Sequence, residues 1–518
     1  MIVTSLTTAQ AERAAEIPGC SRYGTAWKIP PDCTSLIGVA DKAADERSIG
    51  IAWRAADVLV ACGVWDRLWP DQRDDVTFLL AHGGGLIAHP TAAGKAVIGS
   101  ACARVLAPEG PVLIVCPALA RGVWRAELAK WYEGQVTELE GLTPPGPVRA
   151  SGVVVISMEC ISPAWAKALV GNQWAGFIID ELHGFRGRRT RRAKGLRPIL
   201  SLSGGAVRIG LSATPQWGRV DSLYNVLDLL RPGWFGGYTR FTERYAGAME
   251  DFWGSWEIGR ATNDEELRQR LAFTVRRLPK SRLRPNLPPL VRRRIPIANP
   301  KAAARLAKAA LAVTAMQRAG ASPGACLQQM HKALCAATKA KLAALPLMLE
   351  GADRVFIATQ THDGIRQTTD AIMALNRAEG PNGQVWTIFE VSGEVPIPQR
   401  IKHIAHAVSC PPPVVIVGTM QSVAQAIDGT GIDVWVALEL PPTGVELEQW
   451  EGRGHRHHGI EARYPVIEHS IDERFAQLCI EKLEDAQKTV GIDPLTVDLL
   501  GVLGGVEDTS AQVRRLGL

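Results

Sequence analysis

The sequence predicts an α/β chain of two parallel-sheet lobes with an α-helical insertion between them. Two observations carry this expectation. Apolar β-like runs alternate with helical patterns from about residue 66 to 235, and the alternation returns after about residue 350. Between these stretches the rhythm is lost, and basic, proline-rich and then alanine-rich segments follow one another.

Taken in order, residues 1–65 form an N-terminal region of mixed character. Pro18, Gly19, Pro30, Pro31 and Gly50 punctuate it, and it carries no chemical signal. The first lobe, 66–235, is marked by Leu86-Ile-Ala, Val112-Leu-Ile-Val-Cys, Val153-Val-Val-Ile, Phe177-Ile-Ile and Val207-Arg-Ile-Gly-Leu. Residues 236–350 are the basic and helical insertion. They contain Trp253, Trp256, Pro285, Pro288 and Pro289, with Ala-rich helices from about Pro300. The second lobe, 351–518, repeats the alternation at Val355-Phe-Ile-Ala, Val385-Trp-Thr-Ile-Phe, Val414-Val-Ile-Val and Val434-Trp-Val-Ala-Leu.

A length of 518 residues suits two or three domains, and 46% hydrophobic with 21% charged residues marks a globular chain. No apolar run reaches bilayer-spanning length and no signal-peptide pattern opens the chain, so no membrane role is expected and a cytoplasmic protein is (host cytoplasm, if phage-encoded). The ten cysteines form no Cys-x-x-Cys pair, which argues against a zinc finger or a disulfide framework. The net charge of +6 is modest but clustered. Arg186, Arg188, Arg189, Arg191, Arg192, Lys194 and Arg197 share one acid-free window. Arg276, Arg277, Lys280, Arg282, Arg284, Arg292, Arg293 and Arg294 form a second. Such clusters suit a polyanion.

The chemistry is concentrated at strand ends. The run Ala175-Gly-Phe-Ile-Ile reads as a buried strand that ends in Asp180-Glu181-Leu-His183. Two carboxylates at a strand tip suit a phosphate-bound magnesium ion, with Asp180 holding the metal and Glu181 orienting or deprotonating a water. Upstream, Leu86-Ile-Ala-His-Pro precedes Thr91, Ala92, Ala93, Gly94, Lys95 and Ala96. A strand, a small-residue loop and a helix opening at Gly94-Lys95 make a phosphate cradle, with Lys95 reaching the β/γ-phosphates. Ala96 stands where a hydroxyl ligand to magnesium is usual, and Ala92 where a glycine is. Gln72, on the first turn of a helix, can pair with an adenine edge and so select ATP. Ser212 and Thr214, at the end of another strand, place two hydroxyls near the carboxylate pair. Arg453 and Arg456 share a helix face and suit charge stabilisation on a transferring phosphoryl group. His455, His457 and His458 lack a supporting ligand spacing for a metal site.

The collinear order Gln72, Gly94-Lys95, Asp180-Glu181-Leu-His183, Ser212-Ala-Thr214, Arg453 and Arg456 resembles superfamily-two helicases and translocases. More narrowly it resembles their Swi/Snf-like branch, including annealing-helicase-like and phage-type members. Leu68-Trp-Pro-Asp-Gln-Arg, Val115-Cys-Pro through Trp131, Leu230-Arg-Pro-Gly-Trp-Phe-Gly, Arg276-Arg277 with Lys280, and Gly418-Thr419 through Asp428-Gly429 carry the narrower likeness. The resemblance covers roughly 66–490. It implies two RecA-like lobes that bind ATP and magnesium in the cleft between them, and an ATP-dependent DNA helicase or translocase on duplex or branched DNA. Hydrolysis would be coupled to lobe closure, with His183, Ser212, Thr214 and Asp428 as coupling residues. Arg121, Arg188, Arg189, Arg191, Arg276, Arg277 and Lys280 would contact nucleic acid. The departures at Ala92 and Ala96 leave open a catalytically weakened, nucleotide-gated DNA-binding module. An RNA helicase is a third reading.

Overall fold

The computed structural model describes residues 2–3, 8–23, 26–30, 33, 56–61, 63–213, 220–250, 256–258, 262–321, 323–379, 385–392, 394–420, 422, 429–441, 444–455 and 458–488. Thr214, Asp428 and Arg456 lie outside the described residues, as does Trp253. Two compact α/β units divide the chain at Leu283 and Arg284.

The first unit begins with a three-stranded antiparallel sheet of β1 (Ile2–Val3), β2 (Ser21–Tyr23) and β3 (Ala26–Lys28), beside the helix Thr8–Glu16. Its attachment is built around Arg270, which is fully buried. The guanidinium donates to the carbonyls of Pro18 at 2.8 Å and Trp234 at 2.6 Å and to the Tyr245 hydroxyl at 2.9 Å. A buried charge is tolerable only when satisfied in this way.

The main sheet of this unit contains β4 (Gly84–Ile87), β5 (Val112–Cys116), β6 (Val136–Leu139), β7 (Val153–Ser157), β8 (Gly176–Asp180) and β9 (Val207–Leu211). The short β10 (Met249–Glu250) and β11 (Trp256–Glu257) pair apart from it, and β12 (Val275–Arg276) completes it. The order is β12-β4-β9-β8-β5-β7-β6, with every pairing parallel. A parallel sheet is covered on both faces, so its central strands are continuous apolar runs rather than alternating ones. The period of two is visible in the packing. Leu113, Val115, Phe177 and Ile179 enter one core, while Val112, Ile114 and Ile178 enter the other.

The second unit holds β13 (Leu290–Ile297), β14 (Arg354–Thr359), β15 (Thr387–Val391), β16 (Val414–Thr419), β17 (Val434–Ala437) and β18 (Ile460–Ile467). They form a parallel sheet in the order β13-β18-β17-β14-β16-β15. The helices Pro300–Arg318, Pro323–Cys335, Thr338–Lys341 and Leu345–Leu349 follow β13.

The stretch 236–350 is therefore shared out. It supplies β12 to the first sheet, and β13 and the helices to the second unit. β13 escaped the sequence reading because Arg292, Arg293 and Arg294 interrupt its apolar pattern. Arg292 is nonetheless buried, held by both oxygens of Glu451 at 2.7 Å each. The fold puts β4, β9 and β8 side by side, and ligands of parallel sheets bind at the carboxyl ends of such strands.

Candidate nucleotide site at the ends of three adjacent strands

The loop after β4 adopts an anion-cradle shape by local means. Gly94 sits at φ +73° and caps the helix Lys95–Leu106. Ala92 sits at φ +65°, in the left-handed region that costs an L-residue about 1 kcal/mol. The alanine thus accepts the conformation a glycine would take freely. A Cβ at position 94 would also lie 2.5 Å from Nε2 of Gln72, so the Gln72 amide would have to move to admit one. Gln72 is buried on the first turn of the helix Pro70–Ala81, and its Oε1 accepts from the Trp69 amide at 3.0 Å. Its amide nitrogen therefore faces the loop. Ala93 is buried, and Thr91 and Ala96 are half-buried. The Lys95 ammonium donates to the carbonyls of His89 at 2.9 Å and Pro90 at 3.0 Å.

Asp180 closes β8. Its Oδ2 accepts from the Trp124 indole at 2.9 Å, and its Oδ1 accepts from the Glu181 amide at 2.9 Å. Burial first, and then the charge of Glu181, raise its pKa to about 6, while Trp124 and the nearby Lys95 ammonium pull the other way. Glu181 leaves the strand at φ +46°, which turns its side chain out of the strand line. Its Oε2 lies 3.2 Å from Nδ1 of His183, and the same nitrogen lies 3.0 Å from the Ser212 hydroxyl. Ser212 is fully buried beyond β9, and its amide donates to Ile87 at the end of β4 at 3.1 Å. Gln72, Lys95, Asp180, Glu181, His183 and Ser212 thus belong to one end of one sheet.

The donor set fits a magnesium–triphosphate group on structural grounds. The loop ends in a left-handed Gly94 that caps a helix N-terminus, the Lys95 ammonium is folded back on the loop carbonyls of His89 and Pro90, and the Asp180 carboxylate ends a strand at the same end of the sheet. Asp180 would hold the metal, and the loop amides with Lys95 would hold the phosphates.

The other expected residues are scattered. Arg453 is half-buried in the helix Gly444–Gly454 of the second unit, and its carbonyl accepts from Gly429 at 3.2 Å. Arg121 opens the helix Arg121–Trp131 and pairs with Glu140 at 2.7 Å. Arg276 is held by Asp75 at 2.7 Å and Asp74 at 3.3 Å, Arg277 is buried, and Lys280 begins the short helix Lys280–Leu283. Arg188, Arg189 and Arg191 are exposed beside Arg186 and Lys194, and Arg188 stacks over Tyr238 at 4.4 Å. Three residues had been given no role at the site from the sequence. Trp124 orients Asp180, and the buried pair of His89 and Asp75 supports the loop with Nε2 2.9 Å from Oδ2. A buried acid in a helix ahead of a phosphate loop was the available signal for the pair.

A family model described as the SNF2-related domain matches residues 13–306, more than half of the chain. Its start lies inside the stretch that gave no sequence signal. The bovine "DNA annealing helicase and endonuclease ZRANB3" is 26% identical over 408 residues, covering 75% of this chain and 37% of that protein. The Xenopus tropicalis "SWI/SNF-related matrix-associated actin-dependent regulator of chromatin subfamily A-like protein 1" is 30% identical over 258 residues, 49% of this chain and 26% of that one. The chain therefore spans well under half the length of these relatives. The "Sulfolobus solfataricus SWI2/SNF2 ATPase core in complex with dsDNA" aligns at TM-score 0.40 and 16% identity over 86% of this chain and 96% of that one. A likeness that loose assigns no residue here.

Proposed function

The chain belongs to the SNF2-related family, and we propose that it is a DNA-dependent ATPase that moves on, or remodels, duplex or branched DNA. The observation that carries this reading is that Lys95, which opens the helix after the β4 loop, and Asp180, which ends β8, stand at the same end of one parallel sheet with only β9 between the two strands. A phosphate-binding cation and a carboxylate suited to magnesium are thus brought together, which an unrelated pair of motifs would have no reason to be.

In this reading Gln72 selects adenine, residues 91–96 bind the phosphates, and Asp180 holds magnesium. Bound there, magnesium would neutralise charge on the β- and γ-phosphate oxygens. Glu181 orients the attacking water. The His183 ring lies between the Glu181 side chain and the Ser212 hydroxyl, so the water-orienting group is linked to the end of β9 through His183, and Thr214 and Asp428 extend the coupling. Arg453 and Arg456, from the second unit, complete the charge stabilisation, so that lobe closure and hydrolysis are coupled.

DNA as the partner is supported by the name of the bovine relative, and a polyanion by the exposed strip Arg186, Arg188, Arg189, Arg191 and Lys194. Contacts of this kind go to phosphates, so binding should weaken with salt and ignore sequence.

The test is phosphate release by the purified chain across a panel of duplex DNA, branched DNA, single-stranded DNA and single-stranded RNA. The reading expects the strongest stimulation from duplex or branched DNA. Stimulation by RNA alone would transfer the chain to the RNA helicases. A specific observation favours one second reading, the weakened DNA-binding module: at position 96 a methyl group stands where a hydroxyl ligand is usual.

A further inference from the structure

Residues 274–283, which close the first unit, grip the phosphate loop from several directions. Along the backbone, Leu86 donates to Thr274 at 2.7 Å and Ala88 donates to Arg276 at 2.8 Å, so the pairing runs to the mouth of the loop. One residue further, the Leu278 amide donates to Nδ1 of His89 at 3.2 Å. A backbone N–H can only donate, so Nδ1 is the bare nitrogen and Nε2 carries the proton. That proton goes to Asp75, whose two oxygens lie 2.9 and 3.0 Å away. Both side chains are fully buried, and Arg276 donates to the same carboxylate at 2.7 Å. At the loop itself, Ala93 packs with Leu278 and Leu283 in a small apolar cluster. Arg282 reaches Asp71, beside Gln72, at 2.8 Å. The carbonyl of His89 meanwhile receives the Lys95 ammonium. One residue therefore holds the phosphate-binding lysine by its main chain and the exit segment by its ring.

We propose that residues 274–283 form a clamp that positions the phosphate loop, with His89 as its central positioning residue, so that nucleotide affinity depends on the clamp being seated. The proposal rests on the ATP reading and adds to it the device that sets the shape of the loop. Three features make the clamp cooperative. Asp75 is a buried carboxylate, so releasing Arg276 would leave it with the His89 N–H and without its ion-pair partner. The imidazole satisfies two partners on different segments at once. The left-handed position at Ala92 has to be held by neighbours, and Ala93 next to it is the residue the clamp touches. Because coupling is reciprocal, a nucleotide that is helped by the clamp must also stabilise it. A network that is merely part of the core has no such obligation.

Hydrogen exchange on the full chain, with and without magnesium and ATP, tests this. In the parent, ATP is expected to slow exchange in residues 88–96 and also in 276–283. In His89→Gln, which keeps an amide donor for Asp75 but loses the acceptor for Leu278, ATP affinity should fall about tenfold. Protection of 276–283 should then disappear while the melting temperature stays within a few degrees of the parent. Protection of 88–96 alone in the parent would overturn the clamp and leave the ATP reading standing, and this arm needs no variant to fold. Parental affinity and protection in His89→Gln would also overturn it. No protection of 88–96 in the parent would overturn the ATP reading, and the clamp with it.

Discussion

Trp124 donates its indole N–H to Oδ2 of Asp180 at 2.9 Å, although the two residues are 56 positions apart. The indole is fully buried and lies against Gly99, where a Cβ would sit 2.5 Å from its Cη2 atom. A glycine in the helix Lys95–Leu106 thus makes room for the tryptophan that orients the Asp180 carboxylate. Trp124→Phe keeps most of the apolar contact and removes one hydrogen bond to a charged group, worth about 1.5–3 kcal/mol. Phosphate release is expected to fall at least about tenfold, read beside a melting curve that shows the fold retained. Parental turnover would show that the indole only fills space.

The loop makes opposite demands at its two left-handed positions. Ala92→Gly removes the penalty at φ +65° but loosens the unfolded chain, so a stability gain of at most about 1 kcal/mol is expected. Gly94→Ala adds strain at φ +73° and drives a methyl into the Gln72 amide. ATP affinity, followed by titration of a fluorescent analogue, should drop about tenfold or more for Gly94→Ala and hold or improve for Ala92→Gly.

The raised pKa of Asp180 predicts the acid limb of activity. Its carboxyl is ionised above about pH 6 and protonated below, so in limiting magnesium, turnover should fall as pH falls through about 6. The proton and the metal compete for one carboxylate, so raising magnesium should move this limb to lower pH. For stability the sign is reversed. The folded pKa lies above the ordinary carboxylate value of 3.8, so the metal-free fold should gain stability as pH falls from about 6 toward 3.8. Asp180→Asn should flatten both responses, read by magnesium titration at several pH values and by chemical denaturation.

Ala96→Thr restores a hydroxyl on the first turn of the phosphate-loop helix. If the missing ligand limits hydrolysis, DNA-stimulated turnover should rise about tenfold or more with little change in ATP affinity. An inert parent with an active Ala96→Thr variant would favour the nucleotide-gated DNA-binding module over the ATPase.

The strands of both sheets were readable where they are apolar on both faces. Val112–Cys116, Val153–Ser157 and the start of Val414–Thr419 are continuous hydrophobic runs, the signature of parallel strands. Those missed break that signature for physical reasons. β13 carries a buried ion pair, β12 is two residues long, and β6 lies at the sheet edge with Val136 exposed. β15 runs from Thr387, two residues later than its apolar run Val385-Trp386 suggests, because Trp386 packs into the core ahead of the strand. At the site, residue types and order pointed to Gln72, Lys95, Asp180, Glu181, His183 and Ser212. The supporting contacts were not legible, since Trp124 reaches Asp180 from 56 positions away, Asp75 reaches His89 from 14 and Arg276 reaches Asp75 from 201, across contacts that only the fold creates. The basic cluster at 276–294 shows the same limit. Composition reads it as one surface, whereas Arg276, Arg282 and Arg292 are each engaged with an acid.

The most direct test of the account is ATP turnover, with duplex DNA present, in the parent and in Glu181→Gln measured side by side with ATP binding. The account predicts that the variant binds ATP as the parent does and releases phosphate at least about a hundredfold more slowly. Parental turnover in Glu181→Gln would contradict the assignment of the end of β8 as the place where the phosphate bond is broken.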